Sequence, residues 1–263
     1  MTDYFTKQHI LHIHKQLSER DISIITAVQT FKFMSTVQLE RLFFTTGTPL
    51  SNARVCRRTL KRLTGLNVLQ RLHRSIGGAR AGSAGFVYAR GRGGGAAEIP
   101  PRLGGRRLHS PGKTFLTHTL AIGDLFVELH KIERTQAFTV HQFECEPDCW
   151  RLIPGYSHRF LKPDAFVSLR TDKYEIRSFI EVDMDTESLT RIQQKLRAYI
   201  SYRASGKEQS AFGIFPAVIF LVPTDARKRN IDRLIERLPT RDQALFATTT
   251  LNELQTVITR GIS

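Results

Sequence analysis

Two predicted strands that each end in an acidic residue, followed at once by an amphipathic helix, constrain the fold of this chain most. They lie in residues 161–203, which read LKPDAFVSLRTDKYEIRSFIEVDMDTESLTRIQQKLRAYISYR. The first strand ends near Asp164, and the second is apolar and ends at 181–183, where the sequence reads Glu-Val-Asp. The helix that follows offers an amine from Lys195. This is the layout of a metal-dependent phosphodiesterase core.

The acidic residues of the two strands predict a metal site. Glu181 and Asp183 are two residues apart on a strand, so their side chains are expected to leave the same face. With Asp164 on a neighbouring strand, they would place three carboxylates within a few ångströms. Like charges that close raise one another's pKa unless a cation lies among them. Hard oxygen ligands with room for water and a phosphate favour Mg²⁺ or Mn²⁺ over zinc, with Asp164, Glu181 and Asp183 as ligands.

Three further residues are candidate catalytic groups, each with a structural alternative. Lys195 would orient a water or stabilise charge that develops on the phosphate, or else its stem lies on the surface with the amine in water. Tyr199, one helical turn later, would hydrogen-bond the acids or attack phosphorus itself, and the alternative is burial as a core aromatic. His118 falls on the apolar stripe of a long helix predicted over 113–134. It is either a site residue or a hydrogen-bonded core histidine.

The positive charge of the chain is concentrated in one region. The net charge is +15, and residues 51–113 contain fourteen lysines and arginines against one acid, Glu98. Such a one-sided block favours a polyanionic partner, since binding releases condensed counterions. The hydrophobic content of 41% and charged content of 24% are typical of a soluble globular protein. With three cysteines, no bilayer-length apolar run and no signal-peptide pattern, the expected location is the cytoplasm.

The basic region predicts a DNA-binding domain. Asp21 is expected to cap the first of three helices, and the third runs from Ser51 to about Leu63. The strands VLQRLHR and FVYAR follow, joined by a Gly-rich turn. This order predicts a winged helix-turn-helix, whose third helix enters the major groove while the wing contacts phosphates or the minor groove. The alternative is a winged helix used for protein contacts. The predicted DNA-binding residues are Arg54, Arg57, Arg58, Lys61 and Arg62 on the helix and Arg71, Arg74 and Arg80 on the wing.

Four segments are expected. Residues 1–20 are an N-terminal lead-in, and residues 21–90 form the winged helix-turn-helix. Residues 91–111, in which Gly, Pro and Arg dominate, are a flexible linker. Residues 112–263 form an α/β domain with a mixed sheet covered by helices, because helical and strand patterns alternate there.

These motifs resemble two known families. A helix, a β-meander with Pro-Asp and then Glu-x-Asp, and a helix with Lys and Tyr resemble the restriction-endonuclease-like superfamily named for PD-(D/E)XK. A winged helix followed by LTHTLAIGDLF, KPDAFVSL and FIEVDMDTESLTRIQQKLRAY resembles the replication-relaxation family of bacterial plasmids and mobile elements, over residues 20–250. Asp164 and Glu181 match the superfamily's metal-binding acids. Asp183 stands where its lysine would be, and Lys195 would supply the amine from the helix, as in some branches of the superfamily.

The resemblance implies a protein that acts on plasmid or conjugative-element DNA at replication or transfer. It would be an Mg²⁺- or Mn²⁺-dependent nickase or relaxase that binds an origin, with a second copy of itself or replication and transfer proteins as further partners. One alternative is a non-catalytic DNA-binding regulator of replication or transfer whose nuclease-like domain is degenerate. Another is a transcription factor with an α/β effector domain, which leaves the acidic cluster unexplained.

Overall fold

A computed structural model describes residues 6–72, 85–98, 111–135 and 138–260. The chain divides into two compact units, residues 1–127 and 128–263. The division falls within a long helix rather than within the predicted linker at 91–111. Within the four described ranges, no helix combines the length and apolar character that crossing a membrane requires.

The described residues that precede the predicted linker form four helices and a small antiparallel sheet. The helices are α1 (Lys7–Gln16), α2 (Glu19–Phe31), α3 (Thr36–Phe43) and α4 (Pro49–Gly65). The strands are β1 (Phe33–Ser35), β2 (Leu69–Arg71) and β3 (Val87–Arg90), in the order β1-β3-β2. Strand β1 has only three residues and was not predicted, because so short a segment shows no periodicity.

Helix α2 begins differently from the sequence expectation. Ser18 is its N-cap, and Asp21 is the third helical residue of a capping box, with its carboxylate accepting from the Ser18 backbone N–H at 2.8 Å. The same buried carboxylate accepts from Arg62 of α4 at 2.6 Å. Although burial opposes the charged form, the hydrogen bonds from Arg62 and Ser18 lower the pKa of Asp21. Arg62, predicted to bind DNA, therefore joins α4 to the start of α2.

The first part of the predicted flexible linker is ordered and buried. Residues Arg92–Ala97 form a 3-10 helix that packs against α1 and α2. Gly91 is required there, since a Cβ at this position would lie 2.1 Å from the carbonyl oxygen of Asn67. The glycines that suggested flexibility instead permit close backbone packing. The rest of the predicted linker, residues 99–110, lies outside the described residues.

Helix α5 (Lys113–Glu133) begins in the first unit and ends in the second. Gln38 of α3, itself buried, fixes the first half of α5. Its side-chain amide donates to the Leu120 carbonyl at 2.7 Å and to the Asp124 carboxylate at 2.8 Å. Since Gly123 leaves room for this amide, the first half of α5 packs as part of the first unit.

The second unit is built on a mixed five-stranded sheet, as the sequence predicted for an α/β fold. Its strands are β4 (Thr139–Cys145), β7 (Ala165–Arg170), β8 (Glu175–Val182), β9 (Ala217–Val222) and β10 (Phe246–Thr250), in the order β10-β9-β8-β7-β4. The pairs β8–β9 and β9–β10 are parallel, and β4–β7 and β7–β8 are antiparallel. A separate hairpin pairs β5 (Arg151–Leu152) with β6 (Phe160–Leu161).

Helices cover the parallel part of this sheet. The helices that follow α5 in the second unit are α6 (Leu189–Ala204), α7 (Lys207–Phe212), α8 (Asp225–Ile235), α9 (Thr240–Gln243) and α10 (Leu254–Arg260). Ile192 and Leu196 of α6 and Ile231 of α8 pack in one core with Phe179 and Phe220 of the sheet. The apolar run of β9 is buried along nearly its whole length, as expected of a strand covered on both faces.

The contact between Arg62 and Asp21 generates a stability prediction. Replacing Arg62 with alanine is expected to lower the free energy of unfolding by about 1–2 kcal/mol, because it leaves the buried Asp21 carboxylate with less compensation. Urea denaturation of Arg62→Ala and Arg58→Ala makes the comparison, since Arg58 lies exposed on the same helix. The Arg58 variant should change by less than about 0.5 kcal/mol. Equal effects of the two changes would contradict this role for Arg62.

Candidate active site

Asp164 and Glu181 come together where β7 begins and β8 ends. The Asp164 backbone N–H donates to the Ile180 carbonyl at 3.0 Å, which continues the antiparallel pairing of the two strands. Its carboxylate accepts from the Val182 backbone N–H at 2.7 Å. That bond holds the Asp164 carboxylate beside the residue that follows Glu181. Both acids are buried.

The carboxylate of Glu181 is held by two side chains of α6. It is 2% exposed, accepts from the Tyr199 hydroxyl at 2.5 Å, and lies 2.8 Å from the Lys195 ammonium. Burial, together with the negative charge of Asp164, raises the pKa of Glu181 to about 7. Lys195 and Tyr199 act in the opposite direction, since each stabilises the ionised form. The site therefore contains an acid whose charge depends on its immediate neighbours.

Lys195 bridges two carboxylates. Its ammonium lies 2.8 Å from Glu181 and 3.0 Å from Glu187, in the loop that leads into α6. Burial alone would favour the neutral amine, but the charges of Glu181 and Asp164 outweigh it and raise the pKa of Lys195. The amine is therefore a fixed cation beside the two acids rather than a surface lysine in water.

Asp183 does not join this group. Its carboxylate accepts from Arg227 of α8 at 2.6 Å and from the Asp185 backbone N–H at 2.8 Å. Arg227, itself buried, also donates to the Glu187 carbonyl at 2.6 Å. Predicted as a third metal ligand, Asp183 is instead committed to an ion pair that fixes the loop between β8 and α6. Asp183 lies on the helix-covered face of the strand, as the alternation predicts. It contacts α8, however, whereas Glu181 contacts α6.

The set of potential metal ligands is smaller than the sequence predicts. In the described parts of the chain, no three or more histidine, cysteine or acidic side chains are arranged to hold a metal ion. The pair Asp164 and Glu181 remains, with hard oxygen donors and a buried charge that a cation would relieve. Mg²⁺ is commonly bound by one or two carboxylates, with water and substrate phosphate completing its shell. Two carboxylates therefore fit such an ion, whereas the predicted set of three does not form.

Tyr199 and His118 occupy different surroundings. The Tyr199 ring is 1% exposed and packs near Phe179 and Phe246. Burial and the charge of Glu181 raise the pKa of its hydroxyl, which disfavours attack on phosphorus and favours the hydrogen-bonding role. His118 is half-buried on α5 in the first unit, so its role in the site stays a prediction.

The predicted DNA-binding residues divide into four groups. Four of them are exposed on one face of α4, at the i, i+3, i+4 and i+7 spacing that forms a stripe: Arg54, Arg57, Arg58 and Lys61. Arg62 is paired with Asp21, as described. Arg71 is exposed on β2 and lies over the Phe86 ring, 4.2 Å from its centroid. Arg74 and Arg80 lie outside the described residues.

Two residues of the site were missed by sequence reasoning. Glu187 precedes Ser188, the N-cap of α6, and nothing in its local pattern reveals its contact with Lys195. Arg227 carried a signal. It shares a helical stripe with Ile231 and Leu234, and an arginine in an apolar stripe needs a buried acidic partner.

The environment of Glu181 generates a pH prediction. Burial and the charge of Asp164 raise its pKa in the folded protein, so the protonated form contributes stability that is complete below the ordinary glutamate pKa of 4.5 and is lost as pH rises through about 7. Between about pH 5 and pH 8, wild type should therefore lose on the order of 1–3 kcal/mol relative to Glu181→Gln. Urea denaturation across this range measures the difference. Glu236→Gln, on an exposed position after α8, is the control, and identical pH profiles for all three proteins would refute the assignment.

Comparison with known proteins identifies the family of the chain. Residues 25–218 match the model of a family described as Replication-relaxation, a range that covers both acids, Lys195 and α4. Neither a curated protein nor a solved structure matches the chain. Because the matched range spans well over half of the sequence, the chain belongs to the replication-relaxation family.

Proposed function

We propose that this protein binds plasmid or mobile-element DNA at replication or transfer and that its second unit is an Mg²⁺- or Mn²⁺-dependent DNA nickase or relaxase. The observation that carries the proposal is the contact of 2.8 Å between Lys195 and Glu181, with Asp164 at the adjacent strand end. Two acids on neighbouring strands and one amine are the groups that a PD-(D/E)XK-like nuclease centre uses. Membership of the replication-relaxation family supports a role in replication or transfer.

The position of the amine supports an active centre despite a departure from the usual motif. The motif's lysine would stand at Asp183, whose carboxylate is engaged by Arg227. Lys195 approaches the same acid from α6 and is a permanent cation there. An amine from the helix thus replaces the amine from the strand.

Each residue of the site has a distinct task in phosphodiester cleavage. Asp164 and Glu181 would hold a divalent ion, which when bound supplies a Lewis acid and a water of lowered pKa. Lys195 balances the charge of the acids and offers a donor to the phosphate in the transition state. Tyr199 fixes one oxygen of Glu181 by its 2.5 Å hydrogen bond. Arg227 fixes the loop that carries Glu187.

The first unit is proposed to deliver the DNA. The order of its helices, followed by the β2–β3 pair, supports the proposal of a winged helix-turn-helix. The stripe formed by Arg54, Arg57, Arg58 and Lys61 lies opposite the buried Cys56, Leu60 and Leu63 of α4. A helix with one apolar face in the core and one cationic face in solvent suits insertion into the major groove.

The proposal predicts conversion of supercoiled origin DNA to the open-circle form with Mg²⁺ or Mn²⁺. Glu181→Ala and Lys195→Ala should each reduce the rate by at least about 100-fold, because they remove a carboxylate ligand or the transition-state cation. Agarose gels measure nicking, and denaturing gels test for protein attached to DNA. Unchanged nicking by both variants would rule out this site.

Asp183 supplies the matched control for this assay. Asp183→Asn keeps an oxygen acceptor for Arg227, so it should nick within about tenfold of wild type. If Asp183→Asn is as inactive as Glu181→Ala, the assignment of only two acids to the centre is wrong. If the wild-type protein binds the DNA tightly but nicks it with neither metal, the result favours the alternative from the sequence analysis, a non-catalytic DNA-binding regulator.

A further inference from the structure

A short hairpin outside the five-stranded sheet leads directly into the candidate site. Strands β5 and β6 pair at Arg151–Leu161 and Leu152–Phe160, and the Ile153 N–H donates to the Arg159 carbonyl at 2.9 Å. The chain then reaches Asp164 within three residues of the end of β6. We call residues 150–162 the aromatic hairpin.

The aromatic hairpin displays rings to solvent. Tyr156 at its tip is 53% exposed and Phe160 on β6 is 39% exposed. Trp150 at its base is half-buried against the core, with its ring centroid 6.2 Å from that of Phe160. Contiguous patches of exposed apolar groups commonly mark a binding surface, whereas single exposed residues do not. Stacking of planar groups is one use of such rings.

Cations accompany these rings. Residues 150–162 contain three basic residues and His158 but no acid. Arg151 is engaged at the base by Glu144 at 3.0 Å. The exposed Arg159 lies over the Tyr156 ring, and the exposed Lys162 ammonium lies 4.2 Å from the centroid of the Trp150 ring. Rings interleaved with exposed cations fit a ligand that carries both planar bases and phosphates.

The base of the hairpin is fixed beside the candidate site. The buried Cys149 thiol donates to the Pro163 carbonyl at 3.0 Å, so the start and the end of the hairpin are joined one residue before Asp164. The Lys207 ammonium donates to the Leu152 carbonyl at 3.1 Å and ties β5 to α7. The hairpin is therefore a supported element whose position relative to Asp164 is set by the fold.

We propose that the aromatic hairpin binds single-stranded DNA, with bases stacked on Phe160 and Tyr156 and phosphates held by Arg159 and Lys162. This inference rests on the proposed function and adds the form of the substrate. Duplex bases are stacked on one another and offer no free faces to side chains, whereas each base of a single strand does. The hairpin would thus hold an unpaired strand next to Asp164 and Glu181, the proposed ligands of the metal ion.

The chain carries its own reporter for this test. Trp150 is the single tryptophan of the sequence and lies against both Lys162 and Phe160. Titrating the full-length protein with a dT oligonucleotide of about 20 nucleotides should change its tryptophan emission, because phosphate at Lys162 and a base at Phe160 alter the indole surroundings. A blunt duplex of the same length should change it much less.

Substitutions in the aromatic hairpin test its contribution to DNA binding separately from that of the rest of the protein. The double variant Tyr156→Ala/Phe160→Ala should weaken binding of the dT strand by at least about tenfold, measured by anisotropy, with duplex affinity unchanged. The single variant Phe160→Trp, in which Tyr156 is unchanged, should retain binding of the dT strand because it keeps an aromatic ring at this position. The matched control is Tyr174→Ala, an exposed tyrosine next to Lys173 in the turn at the opposite end of β7.

Each outcome has a defined meaning. Equal affinity of the double variant and wild type for the single strand, or equal loss for single strand and duplex, would overturn the inference. Tighter binding of a U oligonucleotide than of the dT strand would replace DNA with RNA and also overturn it. Glu181→Ala should lose nicking but keep the change in tryptophan emission on the dT strand. The nicking assay therefore tests the catalytic proposal, and the emission titration tests the hairpin proposal separately.

Discussion

The second unit depends on how one buried negative charge, that of Glu181, is balanced. An ionised carboxylate without a partner is costly to bury, and a second acid next to it increases the cost. The fold supplies an ammonium from Lys195 and a hydroxyl from Tyr199, both from α6 and one helical turn apart. The crossover from β8 through α6 to the parallel strand β9 brings that helix over the strand end. The position of α6 and the charge of the Glu181 carboxylate therefore depend on each other.

Two acids separated by one residue have different tasks because different helices face them. Glu181 contacts α6, while Asp183 contacts Arg227 of α8. An ion pair as buried as that of Asp183 and Arg227 contributes more to defining one arrangement than to net stability, since desolvation offsets most of its attraction. Here it fixes the loop that carries Glu187 to Lys195. The loop geometry and the charge balance of the site thus share one network.

Local pattern predicted part of the sheet and the helix that contacts Glu181. An apolar run predicted β8, and helical spacing predicted α6 with Lys195 on it, whereas the strand expected to end near Asp164 instead begins after it, as β7. Proximity of Asp164 and Glu181 follows once the two strands pair. The fate of Asp183 did not follow, because Arg227 is distant in sequence and meets it only through packing of α8 on the sheet. The glycine content of residues 91–111 predicted a flexible linker, but at Gly91 the backbone is tightly packed.

Binding of Mn²⁺ in the presence of a DNA strand tests the central claim most directly, because it reports on the two acids without requiring turnover. Calorimetric titration of wild type, Glu181→Gln and Asp183→Asn across about pH 6 to 8 is the measurement. The account predicts binding by wild type and Asp183→Asn, with affinity rising as pH passes about 7 and Glu181 loses its proton, and no binding by Glu181→Gln. Undiminished binding by Glu181→Gln, or loss of binding only in Asp183→Asn, would contradict it.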